Sequence, residues 1–514
     1  MISKVKEVPE LWTRKVSNVY IGTGNGLLKK NIKRAVDALG GFRKFIKPGQ
    51  SVFLKPNLTA TQEAITGGVT DINFVMKLIE LIREESEPGH IMVGENTGQG
   101  GAMGRYFVSH GWTAMCERYN VELVDFEKDE WGDYPLENAM VLDVVHLPKK
   151  LVEADVFITL PVLKNHDTVC VTGAIKNSFG LIPMLDRREL HRLRAVEQSL
   201  VDINRVRKPD LSIVDGRIGM EGIAGGSRFD HPRYANRIIA GDDPVAVDVV
   251  CAHVMEQNPR VCYLQWCDDY KLGNVNLDYV NICGMSLEEG KVRFMSPGEQ
   301  FAEMTDDRVH MYDLGACSRC ISLTQGIMHR FDDPATIMTP TDIVYGPGEW
   351  TAEEKDRHKG CILVGDCIQE KYRGLGTFVP GCPVSEDAIF DALEKEGTLC
   401  HKCLGLTREF IARHTDDDIS FLRIMANNQT VYKGKDYHGE ATDHILLIGH
   451  CMREYYFNHK FRTLAEFEDC GITTDFDDLV AFINSHEVTQ DMIEEAYRKL
   501  RAHYEKEQAE KHEE

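Results

Sequence analysis

At 514 residues the chain is too long for one hydrophobic core, so two or three domains are expected. A formal net charge of -22 argues against a nucleic-acid or anionic-membrane surface. No apolar run approaches the ~18 residues of a bilayer-spanning helix, and the opening MISKVKEVPELWTRK lacks an apolar signal core. A cytoplasmic protein is expected, in which 15 cysteines point to metal or redox chemistry rather than to disulfides.

Val16 to Ile21 reads as a strand and Leu28 to Leu39 as an amphipathic helix. The strand Ser51 to Leu54 runs into Lys55-Pro56-Asn57, which places Lys55 and Asn57 at a strand's carboxyl end. Thr70 or Asp71 can cap a helix from Ile72 to Glu84. His90 to Val93 is a strand that delivers Glu95, and Gly98, Gly100 and Gly101 follow as a loop. Tyr106 to Asn120 reads as helix and Val121 to Phe126 as strand.

Val156 to Leu160 is the clearest buried strand. Beyond it the sequence predicts a polar loop with Lys164, Asn165, His166 and Asp167, then Thr172, Gly173, Lys176, Asn177 and Ser178. Ligands of open α/β sheets bind at the carboxyl ends of strands, so this loop is the candidate site. A long helix is expected from Asp186 to Val206, opening with the basic cluster Arg187, Arg188, His191, Arg192 and Arg194. Most of that cluster reads as a solvated face, with Arg187 or His191 within reach of an anionic ligand. Leu211 to Val214 is a strand ending at Asp215, Arg237 to Ala240 another, and Val245 to Met255 a helix. The alternation predicts an α/β fold, a doubly wound and mostly parallel sheet, across residues 1–300. Leu277 to Gly298 reads as a linker. A small cysteine-rich module is expected over 301–396 and a partly helical C-terminal extension over 397–514, with a frayed charged tail.

Several blocks in this order resemble the domain-of-unknown-function-362 family: Leu54-Lys-Pro-Asn57, Leu163-Lys-Asn-His166, Gly173 to Gly180, Asp215-Gly216 and Asp243-Pro-Val-Ala-Val-Asp248. Members of that family are often labelled iron–sulfur centre proteins, so the resemblance implies an α/β domain with a cluster module. A fainter similarity is to the lactate racemase family, where a His and a Lys ten residues apart follow a comparable strand and the Lys tethers a nickel-pincer nucleotide. His166 and Lys176 have that spacing, but Lys55-Pro56-Asn57 stands where the racemase motif would be. What carries over is a His/Lys proton-transfer pair.

Cys317-Ser-Arg-Cys320, Cys367 and Cys382-Pro383 supply four thiols, the number a [4Fe–4S] cluster takes. Cys361 competes for one ligand place, and zinc is the rival metal. Cys400 and Cys403, with His450, Cys451 and Cys470 as candidate partners, form a possible second metal site or a metal-free pair. Cys116, Cys251, Cys262, Cys267 and Cys283 read as core thiols, and so does Cys170, although it lies beside the candidate loop.

The sequence thus predicts an iron–sulfur oxidoreductase of anaerobic metabolism acting on a small anionic substrate, with a possible redox partner protein. His166, Lys176 and Lys164 are the expected catalytic groups, and Lys55, Asn57, Glu95, Asn177 and Asp215 the substrate-binding ones. Two other readings stand beside it: a lyase or isomerase using His166 and Lys176 without redox, and an electron carrier or maturation protein docking on a larger complex.

Overall fold

The computed structural model describes residues 15–58, 62–96, 103–166, 169–223, 231–305, 307–320, 339–396, 398, 402–414, 419–426, 429–433, 444–449, 452, 471–475, 479–485 and 487–513. The chain divides into two compact units, Met1–Gln300 with Gly315–Ser322, and Phe301–Leu314 with Leu323–Glu514. Among the described residues, no helix is long and apolar enough to cross a membrane.

The first unit is built on an 11-stranded sheet. Its strands are β1 (Ser17–Thr23), β2 (Ser51–Pro56), β3 (His90–Glu95) and β4 (Glu122–Asp125). A separate hairpin, β5 (Trp131–Pro135) and β6 (Val144–Pro148), precedes β7 (Val156–Leu160), β8 (Val162–His166) and β9 (Cys170–Thr172). Then come β10 (Leu211–Met220), β11 (Pro232–Arg233), β12 (Arg237–Gly241) and β13 (Val280–Gly284). The main path runs β13-β1-β12-β10-β7-β2-β3-β4, and β12 alone on that path lies antiparallel to its neighbours.

Both faces of the sheet are covered, as the apolar strands require. Val52, Leu54, Val156 and Ile158 pack with helices α1 (Leu28–Ala38) and α2 (Ile72–Ser86). Phe53 and Phe157 point the other way. They share a core with α3 (Ala174–Asn177), α5 (Val196–Val206), α6 (Pro244–Val254) and α7 (Cys262–Asp269). The α/β, largely parallel, doubly wound architecture read from the sequence is therefore the one observed.

Three local expectations are corrected. The polar segment after β7 is not a loop: β8 extends beside β10 and forms a hairpin with β9. The stretch from Leu277 is not a linker, because β13 pairs with β1 at the sheet edge. The long helix expected from Asp186 is two, α4 (Met184–Arg192) and α5, separated where Arg194 takes φ 53°.

Asp71 caps α2 by accepting from the Asn73 amide, as its sequence position implies. Just before it, Gly67 has φ +72°, and a Cβ there would lie 1.9 Å from the Gly219 carbonyl oxygen. Gly67→Ala therefore combines a left-handed backbone with a backbone clash. It is expected to lower stability by upwards of roughly 2 kcal/mol, measured as a shift of the urea midpoint at unchanged slope.

The second unit holds two sheets. One is parallel, in the order β14 (Val309–Asp313), β15 (Thr341–Tyr345), β16 (Ile362–Val364) and β17 (Thr377–Val379). The other has five strands, β18 (Leu422–Ala426), β19 (Gln429–Lys433), β20 (His444–Ile448), β21 (Gly471–Asp475) and β22 (Val480–Asn484), ordered β19-β18-β20-β22-β21. Helices α8 (Glu386–Lys395), α9 (Lys402–Arg413) and α10 (Gln490–Glu513) are among its described helices. The charged end read as frayed is helical through Glu513.

Candidate active site and thiol sites

Lys55 and Pro56 end β2, Glu95 ends β3, and β7 lies beside β2, so three neighbouring strands bring their carboxyl ends together. Lys55 and Glu95 are 1% and 2% exposed and form an ion pair, Nζ to Oε2, at 2.7 Å. Lys55 Nζ also donates to the Pro56 carbonyl at 3.1 Å and to Asn177 Oδ1 at 3.2 Å. The same Asn177 oxygen accepts from Asn57 Nδ2 at 3.1 Å, and Asn177 Nδ2 donates to Thr159 Oγ1 at 2.9 Å. Glu95 takes two further bonds, from the Leu58 amide at 3.1 Å and the Asn96 amide at 3.0 Å. Gly180 packs against this pair: a Cβ there would lie 2.8 Å from Glu95 Oε1 and 3.0 Å from Lys55 Nζ.

Lys164 is 1% exposed and donates to Asn57 Oδ1 at 3.1 Å and to the Gly68 carbonyl at 3.0 Å. Burial is the main reason its amine falls to about 7, with the Lys176 charge adding to the drop and Glu95 opposing it. Burial also lowers Lys55 below the ordinary lysine value, although Glu95 pulls it back. Arg187 is 7% exposed and is likewise lowered by burial, with Glu95 the first opposing charge. The sequence cluster that reads as solvated thus turns one guanidinium inward.

Lys55, Asn57, Glu95, Asn177 and Lys164 are joined by hydrogen bonds into one buried network. Lys176 Nζ sits over the Phe179 ring, 4.6 Å from its centroid, close enough to Lys164 to depress it. His166 lies two residues beyond Lys164 on β8, so the two share a face of the strand, and it is buried. Asp215 is engaged elsewhere: it binds Arg217 at 2.8 and 2.9 Å, and Arg217 reaches Asp71 at 2.9 Å. Thr159 and Gly68, which complete the network, carried no signal in the sequence. Asp167, Gly98, Gly100 and Gly101 lie outside the described residues.

The thiols fall in both units. Cys317 and Cys320 belong to the first, Cys367 and Cys382 to the second. Cys262, read from its apolar neighbours as a core thiol, opens α7 and shares a hydrogen bond with Cys317. That bond, two backbone amides of Arg319 and Cys320, and the charge of Arg260 bring the Cys317 thiol down to about 5, a thiolate at neutral pH. The turn is anchored on both sides: the Cys262 amide donates to Ser318 Oγ at 2.9 Å, and Ser318 Oγ donates to the buried Glu197. Burial raises Glu197 to about 7.

In the second unit Asp366 and Gly381 exchange bonds. The Gly381 amide donates to Asp366 Oδ1 and the Asp366 amide to the Gly381 carbonyl, each at 2.9 Å. Cys367 and Cys382 directly follow these residues and are exposed, so their loops are held side by side at the ends of β16 and β17. Gly381 takes φ +136°, a conformation that suits glycine. Cys361 differs in kind: it is buried among Val344, Trp350 and Leu363, and burial pushes its thiol up to about 12. Cys403 is packed in the apolar core of α9 and α10, while Cys400, His450, Cys451 and Cys470 lie outside the described residues.

Residues 52–253 match the family model described as Domain of unknown function (DUF362), so the resemblance read from the sequence holds over that stretch. The chain is 28% identical over 239 residues to the thylakoid-associated protein sll1697 of Synechocystis sp., a match spanning 46% of this chain and 72% of that one. It also matches the structure of the lactate racemase apoprotein from Thermoanaerobacterium thermosaccharolyticum at 9% identity and a TM-score of 0.32, over 76% of this chain and 92% of that one.

Proposed function

We propose that this protein, built around a DUF362 domain, is an iron–sulfur oxidoreductase acting on a small anionic substrate held at the strand ends of its first unit. The observation that carries the reading is the gathering of Lys55, Lys164 and Arg187 around the carboxylate of Glu95, all of them buried. A buried amine sheds its proton, as Lys164 does, and an anion entering beside it would restore both proton and charge. Lys55, Asn57 and Asn177 are fixed by mutual hydrogen bonds and would orient such an anion, while Lys164 polarises it. His166, on the same face of β8, would supply the proton, a role suited to an imidazole.

Cys317, Cys320, Cys367 and Cys382 are the proposed ligands of a [4Fe–4S] cluster, with Cys262 a further donor beside Cys317. The donor chemistry fits: Cys317 is hydrogen-bonded by Cys262 and the Arg319 and Cys320 amides, and the loops of Cys367 and Cys382 are clasped together, whereas the apolar pocket of Cys361 suits no metal. When bound, a cluster supplies single electrons. The acidic charge of -22 suits docking of a basic redox partner.

Anaerobic purification with iron, sulfide, zinc and nickel analysis and EPR tests this part. About four irons per chain are expected, lost in Cys317→Ala with Cys320→Ala and kept in Cys361→Ala. Zinc in place of iron, or iron retained without Cys317 and Cys320, would overturn it. The near-neutral amine of Lys164 also favours a second reading, proton transfer without redox, by a lyase or isomerase. Turnover by redox-inert protein would select that reading.

A further inference from the structure

The second unit carries a histidine–histidine–glutamate cluster, His444, His503 and Glu507. His444 opens β20 and is 2% exposed. Its Nε2 lies 3.4 Å from His503 Nδ1 and 3.6 Å from Glu507 Oε2. His503 and Glu507 are four residues apart on α10, so they share one face of that helix. One ligand atom from each of the three lies within 4.8 Å of the others.

We propose that His444, His503 and Glu507 form a binding site for a divalent transition-metal ion of the zinc class. Two nitrogens bound to one tetrahedral ion at about 2.0–2.1 Å stand about 3.3 Å apart, which is close to the 3.4 Å found. Two imidazoles and one carboxylate favour zinc or copper over magnesium or calcium, which take oxygen ligands. The ring of His444 is held edge-on by two aromatics, Phe421 at 5.5 Å and Tyr504 at 5.6 Å, and these two stack on each other at 4.4 Å. Its direction is therefore set before any ion arrives. Three protein ligands leave a fourth position, and Glu507, 32% exposed, puts that position toward water. The ion would tie the charged last turns of α10 to the start of β20, where the helix has few apolar residues of its own.

Full-length protein, stripped with a chelator, is titrated with Co2+ and then Zn2+, as wild type, His503→Ala and Glu507→Ala. Wild type is expected to bind one equivalent more Co2+ than His503→Ala. The difference spectrum should show visible ligand-field bands of tetrahedral Co2+ and none of the near-ultraviolet charge transfer that thiolate ligands give. Glu507→Ala should weaken that equivalent by roughly tenfold or more. Zn2+ should raise the melting temperature of wild type above that of His503→Ala, with the metal-free proteins melting alike. Equal uptake in wild type and His503→Ala would overturn the proposal and leave the cluster a hydrogen-bonded ion pair. So would a difference spectrum dominated by thiolate charge transfer. Both outcomes are independent of iron at Cys317 and its partners.

Discussion

Glu95→Leu is expected to be more destabilising than Lys55→Met, although each removes half of the same ion pair. Breaking a buried pair by deleting one partner costs about 3–5 kcal/mol, because the survivor keeps its charge without compensation. The two survivors differ. After Lys55→Met, Glu95 still accepts from the Leu58 and Asn96 amides and still faces Arg187. After Glu95→Leu, those two amides lose an acceptor, at about 1–3 kcal/mol each for buried groups. Lys55, Lys164 and Arg187 all lose the carboxylate that opposes their burial. Urea midpoints of the two variants and of Lys55→Met/Glu95→Leu measure the order, and relative to Glu95→Leu the double variant should recover only the part due to the unpaired Lys55. Sulfate or a small carboxylate should raise the midpoint of Glu95→Leu more than that of wild type if an anion binds beside Lys55 and Lys164. Equal losses in the two single variants would show that the Glu95 carboxylate does nothing beyond its pairing with Lys55.

The parts of this network differ in how far the sequence shows them, and the reasons are physical. Val156 to Leu160 is legible because all five residues are buried and four of them are apolar. Lys55 and Glu95 are legible because each follows such a run, and the end of a parallel strand is where polar side chains can converge. β8 is not legible: Pro161 and the polar Lys164-Asn165-His166 look like a turn, and the segment becomes a strand through pairing with Met220 and Thr172. Local propensity does not contain those partners. Arg187 sits among four other basic residues, and only the packing of α4 turns it inward beside Leu190. Cys262 is flanked by Val261, Tyr263 and Leu264, a context that suggests core. Its sulfur meets Cys317 because Ser318 hydrogen-bonds the start of α7 across 56 residues of sequence. His444 has no motif around it, and its two partners lie in a charged stretch that looks too polar to hold structure.

Lys164 makes the pH dependence of stability diagnostic. Its folded value of about 7 lies below the ordinary 10.5, so between those values the unfolded chain holds a proton that the native protein has released. The unfolded state then binds more protons, and stability rises with pH across that window, at up to about 1.4 kcal/mol per pH unit. Below pH 7 this group contributes no slope. Glu197 and Asp248, each raised by burial to about 7 from 4.5 and 3.8, act in the opposite sense below neutrality. The native protein keeps their protons, so stability falls as pH rises toward 7. The wild-type profile is therefore expected to pass through a minimum near neutral pH. Lys164→Met should flatten the alkaline arm, whose remainder comes from the lowered Cys317 and Lys55, and leave the acid arm, with a pH-independent offset of about 1–3 kcal/mol for each of Asn57 Oδ1 and the Gly68 carbonyl, which lose their donor. Urea midpoints taken at intervals from pH 5 to about 10 give both arms. The same argument bears on the ligand. An anion bound beside Lys164 above pH 7 must return the proton to its amine, so calorimetry in buffers of different ionisation enthalpy should show proton uptake on binding, absent in Lys164→Met. An alkaline arm as steep in Lys164→Met as in wild type would place its source in other groups and remove the reason for putting a neutral amine in the site.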